Sequence, residues 1–133
     1  MERYALDSFA ALAYLGGERG SEIIERLLVK AKQVEIKLFM CYVTLGEIYY
    51  ILFREEGAER ANEAMALIKR WPIDFVTVDE KTCLIAGRMK ATHAISYADA
   101  YVVALGLYKD ARLVTGDPEF KEVRGVVDVM WIC

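Results

Sequence analysis

The sequence predicts an α/β domain with helices on both faces of one parallel sheet. Short apolar runs alternate with segments of helical spacing, and strands separated by helical segments imply parallel crossovers. Residues 3–6 (RYAL) form the first apolar run. Residues 8–15 (SFAALAYL) have helical composition and are broken by Gly16 and Gly17. From Ser21, the spacing of Ile23, Ile24, Leu27, Leu28, Ala31 and Val34 predicts a second helix. The run KLFMCYV (37–43) is the second strand, and TLGEIYYILFREEG is a helix closed by Gly57. A further helix follows with Ala61, Ala64, Met65 and Ile68 along one side, ending near Trp71 and Pro72. IDFVTV (73–78) is the third strand and EKTCLIAGRMKATH the next helix. Ser96 starts a nearly all-apolar helix, YADAYVVALGLY, which a buried position explains. ARLVT is the fourth strand and GVVDVMWI the fifth.

With 133 residues, 56% hydrophobic and 28% charged, the chain has the size and apolar content of one domain spanning 1–133. Cys41, Cys83 and Cys133 lie far apart in or beside apolar runs, which fits small hydrophobes in a reducing cytoplasm. The opening MERYALDSFAALAYLGG is broken by Asp7 and its Arg3 is offset by Glu2, so neither a signal peptide nor a membrane anchor is expected. A net charge of −3 provides no global basic field for tight non-specific DNA binding. Gln33 and Asn62 are the only side-chain amides among abundant Glu, Lys and Arg, a composition that points to a thermophilic source.

In a parallel sheet all strand C-termini share one edge, and ligands bind there. Asp7 directly follows RYAL, Glu47 is expected in the first turn after KLFMCYV, and Asp117 follows ARLVT. Asp99 lies in the first turn of the helix leading into ARLVT, at the same edge. Each acid also has an ordinary explanation. Thr44-Leu45-Gly46-Glu47 and Ser96-Tyr97-Ala98-Asp99 match the capping-box spacing, and Asp7 and Asp117 suit helix N-caps. Capping does not account for acids set within runs as apolar as YALDSFAALAYL and SYADAYVVALG. Two carboxylates about 4 Å apart repel by roughly 4 kcal/mol at an effective dielectric near 20, so convergence demands protonation or a cation. An all-oxygen donor set selects Mg²⁺ or Mn²⁺ rather than zinc. Such an ion activates water and stabilises a leaving oxygen in phosphodiester cleavage.

The ordered set LDSFAALAYL, LGEIYYIL, SYADAYVVAL and LVTGDPEF, spread over essentially the whole chain, resembles the PIN domain, and more narrowly the VapC type of toxin ribonuclease. The resemblance implies a three-layer α/β/α fold with five parallel strands in the order 3-2-1-4-5. It implies a metal-dependent endoribonuclease that leaves a 5′-phosphate, with Asp7, Glu47, Asp99 and Asp117 as the metal site and Thr115 as the small polar residue beside the last acid. It also implies an RNA substrate, a homodimer and a small antitoxin protein as partner. Asp79 would then cap a helix away from the site.

Two positions depart from the family pattern. Phe9 stands where relatives carry Ser or Asn, with Ser8 adjacent, and Glu119 stands where many carry Asp. Glu119 would either reach a second ion or favour a helix N-terminus. His93, the only histidine, is expected at a helix end, Tyr49, Tyr50 and Phe53 in the core or a subunit contact, and Lys121 and Arg124 at the surface, available to an RNA backbone. Two further readings share these residues: a housekeeping PIN nuclease, and a non-catalytic binding domain on the same fold. An aspartyl-phosphate phosphatase would need D-x-D at the first strand, where the chain has Asp7-Ser8-Phe9.

Overall fold

The computed structural model describes residues 1–133. Five parallel strands, β1 (Glu2–Leu6), β2 (Ile36–Cys41), β3 (Asp74–Val76), β4 (Arg112–Thr115) and β5 (Val129–Trp131), form one sheet in the order β3-β2-β1-β4-β5. The helices α1 (Ser8–Leu15), α2 (Ser21–Lys32), α3 (Tyr42–Glu56) and α4 (Ala58–Ile68) pack on one face. On the other lie α5 (Glu80–Thr92) and α6 (Tyr97–Lys109), followed later in the chain by a 3₁₀ segment, Pro118–Val123. This is the three-layer α/β/α arrangement and strand order expected.

Strand alternation divides the core. Leu6, Leu38 and Met40 point to the α1–α4 face, while Ala5, Phe39 and Leu113 point to the α5–α6 face. Helix α6 is buried without interruption from Asp99 to Gly106, because it lies between the sheet and α5. Gly106 permits that approach: a Cβ there would stand 2.7 Å from Leu113 Cδ2. Gly20, at φ +94°, similarly faces the Ile132 carbonyl with no room for a side chain.

Four boundaries differ from the sequence reading. Strand β2 ends at Cys41, which takes the N-cap position of α3 without a side-chain cap. The helix therefore begins two residues before Thr44, and Thr44-Leu45-Gly46-Glu47 is not a capping box: Thr44 lies inside the first turn and Glu47 in the second. Strand β3 is only Asp74–Val76, since Val76 pairs with Cys41 and nothing continues beyond it for Thr77 and Val78 to pair with. The fifth strand shrinks to Val129–Trp131 because Gly125, at φ +84°, turns the chain first. Val34 lies past the end of α2, exposed and at φ +61°, so it is not part of that helix's apolar side. No helix is long and apolar enough to cross a membrane.

Candidate metal centre

At the C-terminal edge of β1, Asp7 caps α1, its Oδ1 accepting from the Ala10 amide at 2.8 Å. Its Oδ2 accepts from the Thr115 hydroxyl, at the end of β4. The same Thr115 oxygen accepts from the Asp117 amide at 2.9 Å. One fully buried hydroxyl thus ties the end of β1 to the loop after β4, and Thr115 rather than Ser8 orients the first carboxylate. Asp117 in turn caps the 3₁₀ segment, Oδ1 accepting from the Glu119 amide at 2.9 Å.

Asp99 is buried in the first turn of α6, its amide donating to the Ser96 hydroxyl at 3.1 Å. This is half of the expected capping box. The reciprocal bond is made from another element: the Ser96 amide donates to the Glu119 carboxylate, 23 positions along the chain. Asp99 is thereby left free to face Asp117 and Glu119, and one carboxylate oxygen from each of the three lies within 4.8 Å of the others. Glu47 approaches from α3. Its Oε1 is buried and has no hydrogen-bond partner.

The electrostatics follow from this packing. Burial pushes the Asp7 carboxyl up to about 7, opposed by the hydrogen bonds from Thr115 and Ala10 and reinforced by the charges of Asp117 and Glu47. Burial also pushes Asp99 up to about 8, with the adjacent Glu119 carboxylate next in effect, then Glu47 and Asp117. No lysine or arginine compensates: the ion pairs of the molecule are those of Arg60 with Glu56 and Glu63, on the surface. Hard oxygen donors, a stranded buried carboxylate oxygen and two acids that resist ionisation together fit a Mg²⁺ or Mn²⁺ ion.

Asp99 and Asp117 meet directly, and Asp7 and Glu47 lie close enough for their charges to act on the same group. Glu119, which sequence left between two roles, joins the cluster; the signal was its spacing in Asp117-Pro118-Glu119. Asp79 caps α5 through the Thr82 amide and stays outside the cluster. His93 ends α5, its Nδ1 against Thr92 Oγ1 at 2.9 Å and the Met89 carbonyl at 3.3 Å. Tyr49 meets Asn62, whereas Tyr50 and Phe53 are about half exposed on α3. Lys121 and Arg124 are exposed around the end of the 3₁₀ segment, Arg124 Nε donating to the Lys121 carbonyl.

A parallel sheet of this order, with carboxylates from α6 and from the segment after β4 meeting at its C-terminal edge, defines a class of α/β domains with an acidic centre. The chain belongs to the PIN domain family, whose model matches residues 4–126. No curated protein matches it. Among solved structures, it is similar to DNA-bound VapBC from Salmonella typhimurium, with TM-score 0.77 and 16% identity over 100% of both chains. It is similar to VapBC2 from Rickettsia felis bound to a DNA fragment from their promoter, with TM-score 0.76, 15% identity and coverage of 96% of this chain and 97% of that one. It is also similar to VapC20 from Mycobacterium tuberculosis, a sarcin-ricin loop cleaving toxin, with TM-score 0.73, 21% identity and coverage of 96% and 98%. At these identities the likeness speaks to the fold.

Proposed function

We propose that this chain is a single nuclease domain that hydrolyses RNA phosphodiester bonds with Mg²⁺ or Mn²⁺, as the toxin of a toxin–antitoxin pair. The observation that carries the nuclease reading is the meeting of Asp99, Asp117 and Glu119 beside the unpartnered Glu47 oxygen, with no protein cation among them. Asp7, Glu47, Asp99 and Asp117 would hold the ion, directly or through water, with Glu119 beside them. A bound ion supplies activation of water and neutralises charge on the scissile phosphate. The chain's own residues do the rest. Asp7 and Asp99, whose carboxyls are held above the ordinary range, would give up their protons on becoming ligands. Thr115 holds Asp7 Oδ2 in place, and Glu119 holds the Ser96 amide at the start of α6, which fixes where Asp99 projects. The toxin reading rests on family membership and on likeness to VapBC folds. With it come a homodimer, to which the half-exposed Tyr50 and Phe53 are suited, a small antitoxin protein and a cytoplasmic setting, and the scarcity of amides supports a thermophilic source.

The test is cleavage of labelled single-stranded RNAs by purified protein with Mn²⁺, Mg²⁺ or EDTA, beside Asp7→Asn. Cleavage is expected with either ion, none in EDTA, and a loss of at least about a hundredfold in the variant, the scale on which removal of transition-state stabilisation registers. Cleavage indifferent to EDTA, or a silent protein that also fails to bind Mn²⁺, would overturn the reading.

A further inference from the structure

Away from the acidic centre, a second surface combines cations with aromatic rings. A cleft of about 710 Å³ runs along the β3 edge of the sheet, from Tyr42 at the start of α3 to Lys37 near the start of β2 and Lys109 at the end of α6. Lys37 to Cys41, the residue before Tyr42, spans four strand steps, about 13 Å, so the cleft suits a chain segment rather than a single ion. Its walls place Arg3 over the Phe39 ring at 4.8 Å and Lys109 over Phe39 and Tyr108 at 5.6 and 5.0 Å. At its rim, Lys69 stands over Tyr42 and Phe75 at 5.3 and 5.1 Å, and Lys81 over Tyr108 at 5.4 Å. Four cations make these contacts, Lys69 and Lys109 with two rings each, and all of the molecule's cation–ring contacts lie on this surface.

Charge and exposure narrow the occupant. In the lining, Arg3, Lys37 and Lys109 face two acids, Asp74 and Asp79, and Lys69 and Lys81 add cations at the rim, in a chain whose net charge is −3. Asp79 is further committed to the Thr82 amide. Tyr42 and Tyr108 are 41% and 43% exposed, so solvent reaches both residues beside the cations that contact them. Cations that track a phosphate backbone, interleaved with rings on which bases stack, are the two parts of a single-strand binding groove. We infer that this cleft binds a single-stranded RNA segment outside the acidic centre, Lys37 and Lys109 meeting phosphates and Tyr42 and Tyr108 stacking bases. The assignment of RNA rests on the proposed nuclease function; the cationic, aromatic character of the cleft does not.

Fluorescence anisotropy of a labelled oligouridylate of about ten nucleotides, in EDTA, tests it without the acidic centre's ion. Wild type binds, with affinity falling as salt rises. Lys37→Ala/Lys109→Ala is expected to flatten the slope of log affinity against log salt by about 1.4 and to weaken binding about 25-fold at 0.1 M salt. Tyr108→Ala weakens it on the order of tenfold with the slope unchanged. Circular dichroism checks folding, and Lys69→Ala/Lys81→Ala, altered only at exposed rim positions, serves if the first pair unfolds. Wild type that does not bind, folded variants with the wild-type slope, or displacement of the RNA by a lower concentration of oligoglutamate peptide would each overturn the inference, the last assigning the cleft to an acidic protein segment. Metal-dependent cleavage that survives such a result leaves the nuclease reading standing; salt-sensitive binding without cleavage does the reverse.

Discussion

Replacing Asp99 by Asn should stabilise the metal-free protein at pH 8 and abolish its stabilisation by Mn²⁺. Carboxylate oxygens of Asp99, Asp117 and Glu119 lie within 4.8 Å of one another. At an effective dielectric near 20, each ionised pair at that distance costs about 3.5 kcal/mol, and three pairs about 10. That is comparable with the whole stability of a domain, on the order of 5–15 kcal/mol, and a proton on Asp99 removes two of the three pairs, so without a cation Asp99 keeps its proton. Its carboxyl is raised to about 8 when folded, against 3.8 in the unfolded chain. Between those values the folded state binds a proton that the unfolded state has lost, so the stability present near pH 4 drains away as pH rises towards 8. The full shift corresponds to roughly 5–6 kcal/mol, and solvent at the partly buried Asp117 and Glu119 screens it to about 2–3. Asparagine does not titrate. In EDTA, wild type and variant should melt together near pH 4–5 and diverge by about 10 °C at pH 8, the variant higher. Mn²⁺ at a thousand times its dissociation constant then adds about 4.1 kcal/mol to wild type and little to the variant, which reverses the order. Thermal melts across pH with and without Mn²⁺ read this directly. Equal melting at pH 8 in EDTA, or equal lifting of both proteins by Mn²⁺, would refute the reasoning.

Thr44→Val removes a fully buried hydroxyl that has no partner, at nearly constant shape, and should raise the melting temperature by about 4 °C, or roughly 1 kcal/mol; a fall would show that the hydroxyl is satisfied in solution. Gly116→Ala would put a Cβ 2.3 Å from Phe9 Cε1 and 2.6 Å from Cys133 Sγ, costing about 1–3 kcal/mol, with part of the loss recovered in the double variant with Phe9→Ala. Denaturant melts decide it, and a Gly116→Ala protein as stable as wild type would mean that the Phe9 ring yields without cost.

Much of the architecture was legible because each element carries its own period. SYADAYVVALG announced a helix buried on all sides, and the intact burial of α6 from Asp99 to Gly106 is that statement in three dimensions. Strand order was not available from periodicity; it came with the family pattern. The start of α3 was misplaced because LFMCYVTL is apolar throughout and the true N-cap, Cys41, makes no side-chain cap, so local chemistry marked Thr44 instead. The role of Glu119 was open for a different reason: its partner, the Ser96 amide, is distant in sequence, and no local pattern encodes a tertiary bond. The same holds for the cationic cleft, whose members at positions 3, 37, 69, 81 and 109 form no run.

The ordinary and the chemical explanations of the acids turn out to be compatible, because a carboxylate has two oxygens. Asp7 spends Oδ1 on the Ala10 amide, and Asp117 spends Oδ1 on the Glu119 amide. The cap fixes the side chain's direction and leaves the second oxygen for another task. For Asp117 that oxygen is free to turn towards the cluster, whereas for Asp7 it accepts from Thr115, whose own oxygen accepts from the Asp117 amide. An Asn at position 7 can keep the cap through its carbonyl oxygen but must then present an amide donor to the Thr115 hydroxyl. That hydroxyl already receives a hydrogen bond from the Asp117 amide and would have to rotate to accept a second. Asp7→Asn therefore disturbs Asp117 as well as removing a titratable group, while Asp99→Asn leaves the Thr115 frame and its own cap by Ser96 in place and alters the contact with Glu119. Comparing the two variants separates what the negative charge does in this centre from what the hydrogen-bonded frame does.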